Sequence, residues 1–167
     1  MEYSYFISQL DKKLKKYFNK YQEHIYCQKG CTLCCEKGDY PMSLIEYKYM
    51  IQGYSLIENN LKIKVQQNIK NMKRGEKCPF LINNLCAIYN WRPIICRVHG
   101  LAYLYKDNVV KIPYCANFGK NYNKVYKNEE FIIEPIKENL ETEFLLKDFD
   151  FGEMRNLYDW LQNADNE

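Results

Sequence analysis

Eight cysteines, at Cys27, Cys31, Cys34, Cys35, Cys78, Cys86, Cys96 and Cys115, constrain this 167-residue chain more than any other feature. Four of them crowd into one short stretch, C-x3-C-x2-C-C, inside the segment CQKGCTLCCEKGDYP. That stretch has glycines, a proline and no apolar periodicity, so it reads as a loop. A loop this poor in apolar residues offers little core in which to bury thiols as small hydrophobes. Redox compartment then decides between disulfides and metal. The N-terminus, MEYSYFISQLDKKLKKYF, lacks the basic start and apolar block of a signal peptide. No apolar run approaches the roughly 20 residues needed to cross a bilayer. The expected location is therefore the cytoplasm, with no membrane partner, where clustered thiols serve metal or redox chemistry rather than disulfides. The formal charge of +3 counts the thiols as neutral, and eight thiolates would turn it into −5. The surplus of lysine and arginine is thus a natural counterweight to a thiolate cluster.

The rest of the chain predicts helices around that loop. Tyr3, Phe6, Leu10, Leu14, Tyr17, Tyr21 and Ile25 recur at helical spacing over residues 3–25. Ser43 and Glu46 form a capping-box signature opening a helix that should stop at Gly53. Ser55 and Glu58 repeat it ahead of a helix to about Arg74, striped by Ile57, Leu61, Val65, Ile69 and Met72. CPFLINNLCAIY reads as two short strands around Ile-Asn-Asn, and Asn90 can cap one turn beyond it. LAYLY and VVKIPY flank Lys-Asp-Asn as a second hairpin. Glu134-Pro135 should start a helix with Ile136, Leu140, Phe144 and Leu145 on its apolar face. Asp150 and Glu153 should cap a last helix bearing Met154, Leu157, Tyr158 and Leu161. The expected fold is α+β and mostly helical: helices packed around a small, irregular, cysteine-rich core with two short β-hairpins. A single domain over 1–167 would hold the cluster at about 27–118, flanked by helices at 1–26 and 134–163.

Cys31 and Cys34 have the two-residue separation that lets a tight turn aim two sulfurs at one ion. Cys27 can join them if its helix ends at the loop. Neighbours Cys34 and Cys35 differ in direction and so should differ in role. Cys78, Cys86, Cys96 and Cys115 are spread out, and their spacings match no zinc knuckle. Each nonetheless falls at or near a turn or element end, where a side chain can reach a shared centre. Arg92 and Arg97 are candidates to hydrogen-bond the sulfurs of a negatively charged cluster. His99 follows Cys96 by three residues and is a weaker candidate, because eight thiols suffice for two four-coordinate sites. His24 reads as a surface residue, and Tyr89 and Trp91 as core.

C27-Q-K-G-C-T-L-C-C35, C78-P-F-L-I-N-N-L-C-A-I-Y89, R92-P-I-I-C-R97 and the closing Cys115 together resemble the YkgJ-like cysteine-cluster family. All eight cysteines align with that family's pattern, and the resemblance runs over roughly residues 27–118. It implies a zinc- or iron-chelating domain with no settled reaction. A flagellin lysine N-methylase carries a similar cluster and depends on an iron–sulfur centre, so iron–sulfur-dependent methyl transfer or redox catalysis is an alternative. Cys27-x3-Cys31-x2-Cys34 also equals the spacing by which radical SAM enzymes hold an open-site cluster. This chain lacks the length and the strand–helix alternation of their barrel. A zinc-ribbon nucleic-acid binder ranks below both, because residues 78–104 hold two arginines and no lysine. Between the metals, one cysteine knuckle where structural zinc usually has two, and a three-cysteine loop with remote further thiols, favour an iron–sulfur cluster over a structural zinc.

Overall fold

In the computed structural model, residues 2–104, 110–123 and 150–163 are described. Two compact units divide the chain: Met1–Gln28 with Val98–Phe149, and Lys29–Arg97 with Asp150–Glu167. Among the described residues the fold is α+β and mostly helical, as the periodicities predicted, and no helix is long and apolar enough to cross a membrane.

In the first unit, helix α1 spans Tyr3–Lys20 and buries Tyr3, Phe6, Ile7, Leu10 and Leu14. The apolar rhythm from Tyr17 to Ile25 continues past the helix end into a 3-10 turn at Gln22–His24. His24 is not a surface residue: its ring stacks at 5.9 Å on Tyr122, and its carbonyl accepts the Tyr122 N–H at 2.8 Å. Strands β4 (Tyr103–Leu104) and β5 (Val110–Lys111) pair antiparallel, the second predicted hairpin.

In the second unit, strand β1 (Pro41–Ser43) runs directly into helix α2 (Leu44–Leu56). The capping box forms as the sequence indicated, with Ser43 and Glu46 bonding each other's backbone N–H. Gly53 does not end the helix. It lies buried within it because Trp91 packs directly onto its Cα, leaving no space for a Cβ. Helix α3 spans Asn59–Asn71 with Glu58 at its N-cap and no side-chain cap. Ser55 stays inside α2 and bonds the Gln52 carbonyl, so the second capping box does not form. Hairpin β2 (Leu81–Ile82) and β3 (Leu85–Cys86) turns through Asn83 and Asn84, both left-handed at φ 50° and 60°. Asparagine tolerates that conformation, and two such residues give the turn whose twist matches the strands. Asn90 lies within a 3-10 turn at Tyr89–Trp91 rather than capping it, and helix α4 follows at Ile94–Val98.

The C-terminal segment departs most from expectation. Residues 134–149 of the predicted helix lie outside the described residues. Met154–Asn156 forms strand β6, paired antiparallel with β1, and the final helix α5 begins only at Leu157. Met154 is exposed, and Glu153 pairs with Arg155 instead of capping a helix. This is a third two-stranded sheet among the described residues, beyond the two hairpins that the sequence predicts. The core of this unit gathers Met42, Met50, Val65, Met72, Phe80, Ile82, Ile88, Leu157 and Trp160, with Cys78 and Cys86 packed at its edge. Each such large side chain contributes about 1.5–3 kcal/mol by leaving water.

Candidate metal centre

Six cysteines fall in the second unit: Cys31, Cys34, Cys35, Cys78, Cys86 and Cys96. The early loop meets the hairpin through backbone, since the Cys78 N–H donates to the Cys35 carbonyl at 2.8 Å. Cys78 ends the approach to β2, and Cys86 lies in β3, opposite Leu81. Cys96 rides on α4, whose first N–H, from Ile94, donates to the Glu46 carboxylate at 2.9 Å. Buried Glu46 thus closes the α2 capping box with one oxygen and holds the helix of Cys96 with the other.

Five of these thiols share one electrostatic field. The Sγ atoms of Cys34 and Cys35 lie 3.9 Å apart. The hydrogen bond between them brings Cys34 down to about 7, helped by the nearby positive charge of Arg92. The same bond, then burial and the charges of Cys34, Cys78 and Cys86, pushes Cys35 far upward. The first proton therefore leaves the pair more easily than the second. Burial raises Cys78 to about 12, reinforced by Cys86 and Cys34. Burial likewise raises Cys96 and Cys86. Arg92 acts against the rise at both. Tyr40 belongs to the same group: its hydroxyl donates to the Cys34 carbonyl at 2.9 Å. Burial and the fields of Cys34, Cys96, Cys35 and Cys78 keep its phenol protonated. Nothing in the sequence distinguished Tyr40 among sixteen tyrosines.

The two arginines part company. Arg92 is the cation of the thiol group; its Nε donates to the Tyr89 carbonyl at 2.8 Å, and its guanidinium lies 3.5 Å over the Tyr89 ring. Tyr89 is thereby explained as an exposed platform, not core. Arg97 is buried and donates to the carbonyls of Arg92 and Asn90, at 2.8 and 2.6 Å. These bonds fold the loop that presents Arg92.

Cys27 and Cys115 fall in the first unit. Cys115 is buried in a 3-10 turn, Tyr114–Phe118. The Cys27 sulfur accepts an N–H from Asn121 at 3.0 Å, a contact no periodicity or motif announced. His99 is half-buried in this unit, and burial holds its imidazole below its ordinary value.

Among the described residues no three Cys, His, Asp or Glu side chains are closed around one point at ligand spacing. The second unit gathers soft sulfur donors, two of them 3.9 Å apart, within the field of a guanidinium. That donor set suits a thiophilic metal, which binds thiolates and expels their protons.

No curated protein and no solved structure matches the chain. A family described as "CxxCxxCC: Putative zinc- or iron-chelating domain" matches residues 26–135. Its name spells two residues between the first two cysteines, whereas Cys27 and Cys31 are separated by three. The match spans more than half of the chain and takes in all eight cysteines, so this chain belongs to the CxxCxxCC family of zinc- or iron-chelating domains.

Proposed function

We propose that the protein is a metal-binding cysteine-cluster protein that holds an iron–sulfur cluster through cysteine thiolates, its metal ligands drawn from Cys27, Cys31, Cys34, Cys35, Cys78, Cys86, Cys96 and Cys115. The observation that carries this reading is the gathering of Cys34, Cys35, Cys78, Cys86 and Cys96 in one field beside Arg92. The loop spacing Cys27-x3-Cys31-x2-Cys34, followed by remote thiols, is of the kind that serves iron–sulfur centres.

Within this reading the chain's residues have distinct tasks. The thiolates supply charge and soft donors. Arg92 offsets part of that charge. Arg97 keeps the Arg92 loop folded, and so supports the centre. Tyr40 fixes the carbonyl between the two adjacent cysteines. The cluster, when bound, supplies electron transfer or a Lewis-acidic iron.

The test is the full chain expressed and purified without oxygen in iron-replete cells. The expected product is brown, with sulfur-to-iron charge-transfer absorption and acid-labile sulfide in proportion to iron. Colourless protein with stoichiometric zinc would replace the iron–sulfur centre by a structural zinc site. Protein with neither metal would refute both.

A further inference from the structure

Asn121 is fully buried, and each of its observed hydrogen bonds serves one corner of the first unit. Its Oδ1 accepts the Tyr26 N–H at 2.7 Å. Its Nδ2 donates to the Gly100 carbonyl at 2.8 Å and to the Cys27 sulfur at 3.0 Å. A second observation concerns the same sulfur. Gly100 has φ +102°, and a Cβ there would lie 2.6 Å from the Cys27 Sγ and 3.0 Å from the Asn121 amide nitrogen. A side chain at position 100 is therefore excluded twice, by backbone conformation and by the space the sulfur occupies. A third observation concerns the turn that carries Asn121. The next residue, Tyr122, is left-handed at φ 59°, which a bulky residue adopts only when its surroundings hold it there. Its N–H is pinned to the His24 carbonyl at 2.8 Å. Two bonds thus lock the segment 24–26 to the turn 121–122, and the adjacent residue, Cys27, receives the remaining amide proton.

Burying an asparagine costs free energy unless its polar atoms are used. Here one donor is spent on a thiol, a weak acceptor in its neutral form. The bond becomes charge-assisted, and stronger, when that sulfur is a thiolate. We propose that Asn121 is the positioning residue of Cys27. Its amide aims the sulfur through which Cys27 binds metal, and Gly100 leaves the clearance this requires. The assignment rests on Cys27 being a metal ligand, as proposed above. It is not tied to iron rather than zinc.

The experiment uses the full chain, stripped of metal and reduced, titrated anaerobically with cobalt(II). Thiolate-to-cobalt charge-transfer absorption reports sulfur ligands, and competition with a chelator reports how firmly the metal is held. Asn121→Asp keeps the acceptor for Tyr26 and replaces the N–H with oxygen. Asn121→Ala removes both. Either should weaken metal retention by about 10–100-fold, the usual loss for an outer-shell partner. The charge-transfer band should also shift to longer wavelength, because a sulfur without its hydrogen bond donates electrons more readily. Circular dichroism identifies any variant that fails to fold.

The decisive comparison is made in a Cys27→Ser background. If Asn121 acts through Cys27, Asn121→Asp changes metal retention no further there. If its effect is the same with and without Cys27, Asn121 is a structural residue and the proposal is wrong. If Asn121→Asp leaves both band and retention unchanged while Cys27→Ser alters them, the proposal is likewise wrong, and the metal centre stands. A wild-type chain that takes up no cobalt overturns the centre itself, and this assignment with it.

Discussion

At the scale of single residues, charge decides what a thiol can do. Arg92 is the cation whose field reaches Cys34, Cys86 and Cys96. Its guanidinium is held over the Tyr89 ring and so is not free to wander. Arg92→Ala should loosen metal by about 10–100-fold without emptying the site, because no ligand is removed. Arg92→Lys should recover only part, since an ammonium lacks the planar fork that stacks and donates together. Chelator competition on the metal-loaded chain measures both. Identical retention in wild type and Arg92→Ala would show that the guanidinium is not part of the centre. The sequence placed Arg92 correctly because it lies within a recognisable Arg-Pro-x-x-Cys-Arg string. It could not separate the tasks of Arg92 and Arg97, because that depends on which carbonyls the loop turns inward.

At the scale of elements, Glu46 joins two helices that the sequence treats as unrelated. The capping box was legible, because Ser at the N-cap and Glu three residues on is a local signal. The other carboxylate oxygen bonds the first N–H of α4, 48 residues away, and no local signal announces that. The two halves of the device can be separated by mutation. Ser43→Ala removes a cap and should cost about 1 kcal/mol of stability. Glu46→Ala strands buried donors at both helix starts, each worth about 1–3 kcal/mol. Only Glu46→Ala frees the helix of Cys96, so only it should also weaken metal retention. Urea unfolding and chelator competition on the two variants together make the check. Equal metal retention in both would mean that α4 is placed by other contacts. The end of the chain shows the opposite failure of local reading. Asp150 and Glu153 resemble a cap, but Met154–Asn156 pairs with Pro41–Ser43 as a strand. A three-residue strand has no periodicity of its own, and its partner is more than a hundred residues away in sequence.

At the scale of the whole molecule, protons link metal to stability. A thiol raised on folding contributes stability that is complete below its ordinary value of about 9 and is lost as pH rises through the folded value. Cys78, raised to about 12, follows that rule, and so do Cys35 and Cys96. Cys34, lowered to about 7, has the opposite sign: its contribution is present above about 9 and is lost as pH falls through 7. Burial raises Cys86 as well, so four raised thiols outweigh one lowered thiol. The metal-free, reduced chain should therefore lose stability as pH rises above about 9 toward the folded value of Cys78 near 12. The metal-loaded chain should behave differently, because binding has already expelled the protons, and metal retention should strengthen as pH rises. Urea midpoints across that range, with and without metal, test both statements. A metal-free midpoint that climbs with pH would contradict the burial of these thiols.

The sequence by itself determined the chemistry and the local elements. Eight cysteines in this order, with an Arg-Pro pair ahead of Cys96, identify a chelating family because donor type and spacing are one-dimensional properties. Helices α1, α2 and α3 were legible because apolar period and the first capping signal are local. Their ends were less so: Gly53 lies inside a helix, where its missing side chain makes room for Trp91 from a distant turn. The tertiary structure alone decided which thiols keep company. Cys34 and Cys35 meet Cys78, Cys86 and Cys96 because a loop carbonyl accepts the Cys78 N–H and a distant glutamate holds the helix of Cys96. It also decided that Asn121 faces the Cys27 sulfur across a gap of 94 residues in sequence. Hydrogen bonds and burial act through space, and their partners are fixed only when the chain has folded.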